Sequence, residues 1–376
     1  SLADSLGTLA LARVVQGLGA AGIMSVNAAL VRLTYPSAQL GRGMAINSMV
    51  VATSSVAGPS VAAAILSVAS WPWLFALNLP LGLLTLALGL RALPANSASG
   101  TAPRALSWID MLLNALMFSL LVLAADLLGA RHGAGGGVAE GTVVFPLTLR
   151  LAVLAAGLAV AAIYVHRQLR RPTPLLPVDL LRIPVFALSI CTSIAAFSAQ
   201  MLAFIALPYL LLVHMHRSAG ETGLLITAWP LAIVVVAPIA GRLIGRYPAG
   251  LLGGIGLTLL AIGLAMLAHL PSQPTDAAIV WRLALCGAGF GLFQPPNNHT
   301  IVTAAPLHRS GGAGGMQSSA RLVGQTLGAA LLAAIFNAHD ADDASGSLFA
   351  LGVAAGLAGI AGLFSSLRLR GGRTTS

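Results

Sequence analysis

Long apolar runs, separated by short stretches rich in Pro, Gly and Arg, set the pattern of this chain. A helix that crosses a bilayer needs roughly 20 mostly apolar residues, and eleven runs reach that length. The runs do not alternate apolar and polar residues as membrane-barrel strands do, so helix is the structure that satisfies their backbone in hydrocarbon. The predicted helices cover residues 8–31, 44–67, 72–91, 108–129, 146–166, 185–213, 222–241, 250–270, 277–301, 313–336 and 347–367.

Composition points to the same fold class. Hydrophobic residues make up 57% of the 376 residues and charged residues 8%, whereas a soluble domain carries about 25% charged residues. A water-soluble protein of this size could not bury so much apolar surface. We therefore expect an all-α integral membrane protein.

The distribution of charge predicts a topology. All 20 basic residues are Arg, and with ten acidic residues they give a formal net charge of +10. Fourteen Arg lie in one alternating set of predicted loops and ends, while the opposite set holds Arg131 and Arg217. The positive-inside rule then predicts a multi-pass protein of the cell inner (plasma) membrane with a cytoplasmic C-terminus and an outer N-terminus. The Arg form no basic patch with interleaved aromatic residues, so nucleic acid is not an expected partner.

The start of the chain is unusual for this topology. Residue 1 is Ser rather than Met, and it is predicted to lie outside with no helix before it. We therefore expect that residue 1 is not the native start of the protein.

Two linkers divide the chain. Residues 92–107 are rich in Ala, Ser and Pro, and residues 167–184 combine four Arg with four Pro. The chain carries an internal repeat, because the Gly-Met pair at Gly43 recurs at Gly315 and the helices around the two pairs are similar. The two helices between the linkers interrupt this repeat. The predicted parts are the remainder of an N-terminal helix bundle (1–93), a linker with two inserted helices (94–184) and a C-terminal six-helix bundle (185–376).

Among the arginines inside predicted helices, three are singled out here, because a charge at such a depth costs at least a few kcal/mol unless it faces water or a partner. Arg13 lies roughly 10 Å of helix inside the first run. It either snorkels to the outer interface or tunes a proton or ion site. Arg282 repeats this geometry in the ninth helix, and Arg321 lies at a similar depth in the tenth. Both interpretations stay open for these two residues.

A face of small residues marks the second helix. Ser54, Gly58 and Ala62 share this face at i, i+4 spacing and would let another helix approach closely. Pro59 removes a backbone hydrogen bond and bends the helix. The face is either a packing surface alone or a tight, kinked seal between two moving bundles.

Amide side chains inside the predicted helices are a further group of candidates. Most amides in a membrane only bond neighbouring helices. The run Gln294-Pro295-Pro296-Asn297-Asn298 differs, because two prolines would break the ninth helix, and freed backbone is tolerated at that depth where it lines a cavity. The candidates for a cavity of amides among apolar walls are Asn27, Phe290, Phe293, Gln294, Asn297, Asn298, Gln317 and Arg321.

Several functional classes are disfavoured by what the sequence lacks. It carries no phosphate-binding Gly-rich motif, no paired metal-binding carboxylates and no Ser/His/Asp arrangement. His214 and His216 have no obvious further ligands, so no metal site is expected. We therefore expect neither an enzyme nor a bound cofactor, and an ion gradient rather than ATP as the energy source.

The segment ARVVQGLGAAGIM (12–24) carries Arg13, Gln16 and Gly17 in the first helix. It resembles the fourth-helix motif of the major facilitator superfamily, in particular of its fourteen-helix drug:proton antiporter branch. The resemblance implies that these three residues take part in proton coupling.

The segment ATSSVAGPSVAAAIL (52–66) is similar to the antiporter motif of that family's fifth helix. Gly58 and Pro59 match the motif. The positions at which the motif has Gly are here occupied by Ser54, Ala62 and Ala63, which keeps the small-residue face but departs from the pattern.

Three later segments extend the resemblance along the chain. GFGLFQPPNN (289–298) and GGMQSSARLVGQTLGAAL (314–331) are similar to the tenth- and eleventh-helix patterns of the family's twelve-helix core. GRLIGR (241–246) resembles the second copy of its cytoplasmic loop motif, carried here by Gly241, Arg242 and Arg246, with Gly245 in place of an Asp. The resemblance implies two helix bundles that rock about a central cavity, with the family's first two helices and most of the third absent.

The function implied is proton-coupled efflux of small amphipathic, often cationic, compounds. Within the transporters, the alternative is export or import of another solute, such as a sugar, siderophore or metabolite. Outside them, the alternative is a membrane remnant that transports nothing. The expected partners are a small-molecule substrate and the lipid bilayer, and the sequence names no periplasmic or outer-membrane efflux partner.

Overall fold

The computed structural model describes residues 5–70, 72–92, 107–129, 146–171, 177–271, 273–339 and 344–371. Within these ranges the chain is helical apart from turns and an isolated bridge between Ile244 and Tyr247. The all-α class predicted from the apolar runs is confirmed.

Eleven helical segments follow one another in the predicted order over the described ranges. Some are interrupted: α3 has a turn at Leu77, α7 has one at Thr227, and α6 continues into a single π turn over Leu210–His214. The segments are α1 (Leu6–Thr34), α2 (Leu40–Val68), α3 (Pro72–Ala92), α4 (Trp108–Gly129), α5 (Leu147–Leu169), α6 (Pro184–Tyr209), α7 (Ala219–Leu243), α8 (Ala249–Ala268), α9 (Asp276–Ala304), α10 (Ser310–Ala338) and α11 (Ser345–Gly371).

Length and apolar composition make these helices suited to a bilayer. Among the described residues, nine helices satisfy both requirements for crossing a membrane, and α2 and α4 are not among them. The 29 residues of α2 still reach beyond the ~30 Å hydrocarbon core at about 1.5 Å per residue. The apolar part of α4 is shorter, over Trp108–Ala124.

The helices after residue 184 pack around one large apolar core. In it, α6 packs along α10 and α11, α8 packs along α9 and α11, and α9 packs along α7. Large side chains such as Trp229, Phe290 and Phe293 are almost fully buried there. Since lipid tails are as apolar as these side chains, close van der Waals packing rather than the hydrophobic effect favours helix association.

Glycines allow the closest helix crossings in this core. A Cβ built on Gly256 of α8 would lie 2.5 Å from the carbonyl oxygen of Gly289 in α9. A Cβ on Gly324 or Gly328 of α10 would lie 2.5 Å from the carbonyl oxygen of Ile194 or Ser198, respectively, in α6. A side chain at these positions would push the backbones apart, so the small residues set the distance between the helices.

The described contacts group the chain into two units. One consists of Ser1–Gly22 with Ser54–Trp108, and the other of Ile23–Thr53 with Ile109–Ser376. The first holds the first half of α1, the second half of α2, and α3. The boundaries at 93 and 184 that we drew from the linkers remain predictions, and most of the first linker lies outside the described residues.

An ion-pair cluster joins α4 to α5, and the sequence analysis did not single it out. Asp110, in the first turn of α4, is 1% exposed. Its carboxylate lies 3.1 Å from Arg167 Nε and 2.9 Å from Arg171 Nη1 at the far end of α5. The two arginine side chains are 38% and 40% exposed, so water screens part of the attraction. The two ion pairs tie the start of α4 to the end of α5.

Candidate functional site

A polar cavity of about 130 Å³ lies where five helices meet. It is formed by the C-terminal half of α1 and the N-terminal half of α2 together with α6, α9 and α10, all within the second unit. Its lining residues are Met24, Asn27, Ala28, Asn47, Ser48, Val51, Phe197, Gln294, Asn298, Gln317, Ser318 and Arg321.

Five of the eight sequence candidates for the cavity lie in this lining. They are Asn27, Gln294, Asn298, Gln317 and Arg321. Burying an amide side chain inside an apolar bundle costs free energy unless the amide forms a hydrogen bond with another polar group. The amides of different helices therefore lie close together.

Hydrogen bonds between helices position part of the wall. Asn27 Nδ2 of α1 donates to Asn47 Oδ1 of α2 over 2.9 Å. Ser318 Oγ of α10 donates over 2.9 Å to the carbonyl oxygen of Met24 in α1. These bonds hold α1, α2 and α10 at fixed positions around the cavity.

Arg321 is the only ionisable side chain in the described lining. Its guanidinium carbon lies 5.5 Å from the centre of the Phe197 ring, a cation–π distance. Its Nε has no hydrogen-bond partner among the described residues, and neither has Oε1 of Gln317 one turn earlier. The described lining therefore contains one positively charged residue, and both Arg321 and Gln317 keep a polar atom without a partner.

The two phenylalanines predicted for the wall lie behind it. Phe290 and Phe293 are 2% and 1% exposed. The ring of Phe290 packs edge-on against Phe197 at 5.5 Å and against Phe293 at 5.7 Å. Phe197, which we did not single out from sequence, is the aromatic residue that reaches the cavity, and the other two support it.

Asn297 also lies outside the described lining, although its neighbour Asn298 is part of it. Its Nδ2 donates to Ser193 Oγ over 2.7 Å and to the Ser189 carbonyl oxygen over 3.3 Å. Its Oδ1 accepts a 2.9 Å bond from Nη1 of Arg368. Asn297 thus belongs to a buried network between α6, α9 and α11, and its role here is to hold helices together.

The predicted break in the ninth helix is not present. α9 runs without interruption through Pro295 and Pro296 to Ala304. Two consecutive prolines remove only two amide donors, and packing on both sides of α9 keeps the remaining helical bonds in place. The polar wall therefore comes from amide side chains and not from unwound backbone.

Arg32 joins three helices by hydrogen bonds at one end of the described bundle. From the last turn of α1 its Nη1 donates to the carbonyl oxygens of Val302 and Ala305 and, over 2.9 Å, to Ser310 Oγ. The two carbonyl oxygens are at the end of α9, where helical carbonyls lack partners within the helix. Ser310 is at the start of α10. A Cβ on Gly314 of α10 would lie 2.7 Å from the Ser25 carbonyl oxygen, so α1 and α10 are in direct contact beside it.

A second close crossing lies at the same end. A Cβ built on Gly41, at the start of α2, would lie 2.8 Å from Ile244 Cβ and 3.1 Å from the Gly241 carbonyl oxygen. Gly241 is therefore a packing residue of the loop motif, whereas Arg242 and Arg246 are exposed. Gly245 has φ of +86°, which explains why glycine rather than Asp occupies that position.

The proton-coupling candidates lie in the other unit. Arg13 Nη1 donates to Gln16 Oε1 over 3.0 Å, and its guanidinium carbon lies 4.9 Å from the centre of the Phe75 ring in α3. Gly17 is one residue further, and a Cβ there would meet no described heavy atom within 4 Å. The role of these residues in coupling remains a prediction.

The small-residue face at Gly58 has no close neighbour among the described residues. A Cβ there would meet no described heavy atom within 4 Å, and the helix approach predicted on this face stays a prediction. Ser54 is exposed and Ala62 is half-buried, and Pro59 lies within the unbroken helix α2. Tight crossings occur at Gly324 and other glycines of the later helices.

Sequence reasoning missed the buried network because its arginine resembled a loop residue. Arg368, counted with the arginine-rich ends, is 6% exposed and also bonds Ser189 Oγ over 2.9 Å. A usable signal was the spacing of Ser189 and Ser193, one helical turn apart on one face of an apolar helix.

Among the described residues, no three His, Cys, Asp or Glu come together to hold a metal.

Comparison with known proteins agrees with this architecture. A model of the Major Facilitator Superfamily matches residues 1–329 and 188–374. The chain is 52% identical over 369 residues to the Uncharacterized transporter YebQ of Escherichia coli (strain K12), covering 98% of this chain and 77% of that protein. It is 29% identical to the Multidrug resistance protein Stp of Mycobacterium tuberculosis (strain ATCC 25618 / H37Rv), covering 90% of this chain and 60% of that protein.

A third relative carries the name of a substrate. The Riboflavin transporter RibZ of Clostridioides difficile (strain 630) is 24% identical over 336 residues, which cover 89% of this chain and 70% of that protein. The family match extends over both ends of the chain, and nine helices among the described residues are long and apolar enough to cross a membrane. This multi-pass membrane protein belongs to the Major Facilitator Superfamily of transporters.

Proposed function

We propose that this transporter exports small amphipathic compounds across the inner membrane in exchange for protons. The observation that carries the proposal is the cavity between α1, α2, α6, α9 and α10, whose described lining combines five amides, two serines and Arg321 with four apolar side chains. Such a mixture suits an amphipathic solute, whose apolar part contacts the apolar side chains while its polar groups meet the amides.

Proton coupling is the second part of the proposal. The sequence carries no nucleotide-binding motif, so an ion gradient drives the step. The segment around Arg13 resembles that of drug:proton antiporters, and two relatives carry multidrug resistance or efflux in their names. In this proposal Arg13 and Gln16, joined by their hydrogen bond, lie beside the path of the proton.

The test is dye efflux from cells that express the full open reading frame containing this chain. Cells loaded with a panel of amphipathic dyes are energised, and efflux is followed with and without a protonophore while ATP is maintained. Efflux that stops when the gradient collapses supports exchange with protons. Efflux that continues unchanged contradicts proton coupling.

Export of one metabolite is the second candidate function. It is favoured by the small size of the cavity, about 130 Å³, against the 300–1,000 Å³ typical of pockets for drug-sized ligands, and by the name of the riboflavin transporter relative. Failure to move any dye of the panel, with normal membrane abundance, would favour this candidate.

A further inference from the structure

We propose that the cavity recognises the anionic or strongly hydrogen-bond-accepting end of its substrate through Arg321, so that carboxylates and phenolates are preferred over cations. This inference rests on the proposed export function and names its substrate class. It replaces the expectation of often-cationic substrates with the opposite charge preference.

The first argument is the charge of the lining. Of the twelve described lining residues, Arg321 is the one that carries charge, and the others are amide, hydroxyl or apolar side chains. A cationic substrate would meet an uncompensated positive charge in a site of low dielectric, where like charges repel strongly. An anion would instead form a charge-assisted hydrogen bond with the guanidinium.

The second argument is the difference between Arg321 and the other arginines in the described helices. Arg282 Nη1 donates to the Ala278 carbonyl oxygen over 2.7 Å, and its guanidinium stacks 4.6 Å from the ring centre of Trp281. Arg32 and Arg368 each donate to several oxygens. The Nε atoms of Arg282 and Arg321 are both buried without a partner among the described residues. Arg321 differs because it lines the cavity, where the described contact of its guanidinium is the Phe197 ring. A buried donor that lacks a partner costs free energy, which a bound acceptor would recover.

The third argument is the arrangement around the guanidinium. Phe197 lies against its face at 5.5 Å, which orients the planar group and leaves its edge for a ligand. Gln317, four residues before Arg321 on the same helix face, borders the same space. Planar guanidinium edges bind carboxylates with two parallel hydrogen bonds, so the site is suited to a planar acceptor group.

The size of the cavity fits one end of a substrate. Its volume of about 130 Å³ accommodates a carboxylate or phenolate with part of an adjoining ring, below the range for a whole drug-sized molecule. The apolar remainder of the substrate would extend beyond the cavity. The inference thus concerns the headgroup and leaves the body free to vary among amphipathic compounds.

Binding of two dyes of opposite charge tests the inference directly. The full-length protein is purified in detergent, and binding of fluorescein (anionic) and ethidium (cationic) is followed by fluorescence anisotropy. We expect fluorescein to bind the unmodified protein at least about tenfold more tightly than it binds the Arg321→Gln variant, because the variant lacks one charge-assisted hydrogen bond. Arg321→Lys, which keeps the charge without the planar fork, should lie between them.

The matched control is Arg282→Gln, which removes an intramembrane arginine outside the described lining. It should bind fluorescein like the unmodified protein, and size-exclusion profiles show whether each variant is folded. Fluorescein affinity equal in the unmodified protein and in Arg321→Gln, or the absence of fluorescein binding, overturns the inference. Ethidium binding that Arg321→Gln weakens would overturn it as well.

Efflux of the same dyes separates this inference from the export function. If cells expel ethidium but not fluorescein, the export function stands and the charge preference is wrong. If cells expel neither dye while fluorescein binds through Arg321, the site is correct and the export proposal fails. Fluorescein efflux that Arg321→Gln abolishes and Arg282→Gln preserves supports both.

Discussion

The guanidinium of Arg368 donates a 2.9 Å hydrogen bond to Oδ1 of Asn297, a residue 71 positions earlier in the chain. The same guanidinium reaches Ser189 on α6 and Ser365 on its own helix. Ser365 in turn donates to the Gly250 carbonyl oxygen at the start of α8 over 3.1 Å. One arginine thus organises a polar network among four helices inside an apolar bundle.

Replacing Arg368 by Met should destabilise this bundle. The substitution leaves Asn297 and Ser189 with buried polar groups that have lost a partner, at about 1–3 kcal/mol for each group. The apparent melting temperature of the purified protein in detergent should fall by several degrees. Arg246→Met is the control, because Arg246 is exposed and lies just before the start of α8, which this network reaches at Gly250. Equal shifts in the two variants would contradict the structural role of Arg368.

Two glycines of α10 should respond in opposite ways to alanine. A Cβ on Gly324 would lie 2.5 Å from the Ile194 carbonyl oxygen, whereas a Cβ on Gly315 would meet no described heavy atom within 4 Å. Gly324→Ala should therefore cost about 1–3 kcal/mol by overpacking, and Gly315→Ala should be neutral or add up to about 1 kcal/mol through helix propensity. Thermal unfolding and membrane abundance measure both. Equal stability of the two variants would mean that α6 and α10 are further apart than described.

Arg32 should govern access to the cavity from its end of the bundle. Arg32→Ala removes the bonds to Val302, Ala305 and Ser310, so that end should open more often. The measurement is maleimide labelling of Ala28→Cys, a cavity-lining position 6% exposed, in a background where Cys191 and Cys286 are Ser. We expect labelling at least about threefold faster, since loss of one to two hydrogen bonds is about 1 kcal/mol or more.

Arg42→Ala is the matched control for Arg32, because Arg42 is an exposed arginine near the same end. Its labelling rate should equal that of the background protein. An unchanged rate in Arg32→Ala would show that its hydrogen bonds do not limit opening.

Arg13 should be required for transport rather than for folding. Arg13→Lys keeps the positive charge but loses the planar group that bonds Gln16 and lies over Phe75. We expect efflux to fall about tenfold or more in Arg13→Lys and Arg13→Ala at unchanged membrane abundance, the effect of one charge-assisted contact. Normal efflux in both variants would support the alternative that Arg13 only snorkels to the interface.

The arginine asymmetry should determine orientation. A fluorescent protein fused after Arg373 should be fluorescent, and alkaline phosphatase fused at the same site should be inactive, because the arginine-rich ends stay in the cytoplasm. The converse pair of results would reverse the topology. Fusions in the 130–145 loop, which is predicted to be outside, provide the opposite control.

The helices were predictable because the bilayer leaves so little choice. Runs of apolar residues gave all eleven in order, and the observed helices differ mainly at their ends: α1 was predicted over 8–31 and extends over Leu6–Thr34. Hydropathy shows where the chain leaves the hydrocarbon core of the bilayer. The helix itself often extends beyond that point, because its backbone hydrogen bonds continue until a turn or a proline ends them. Helix ends are therefore the part that hydropathy describes least well.

The cavity was predictable in composition and less so in detail. Asn297 and Asn298 are adjacent in sequence, but successive helix positions point about 100° apart, and only Asn298 reaches the described lining. Choosing between them requires knowing which helix packs on which face. Phe197 gave no signal, because an aromatic residue inside an apolar helix is equally suited to lipid, core or cavity.

The crossing between Gly41 and Gly241 has a mechanical consequence. Its nearest groups are backbone carbonyls, Ala45 Cβ and the branched side chain of Ile244, so the two helices meet without hydrogen bonds between these groups. Separating them breaks dispersion contacts that are individually weak. At this crossing, resistance to opening therefore depends on how closely the two backbones pack, whereas α1 is held to α9 and α10 by the directional hydrogen bonds of Arg32.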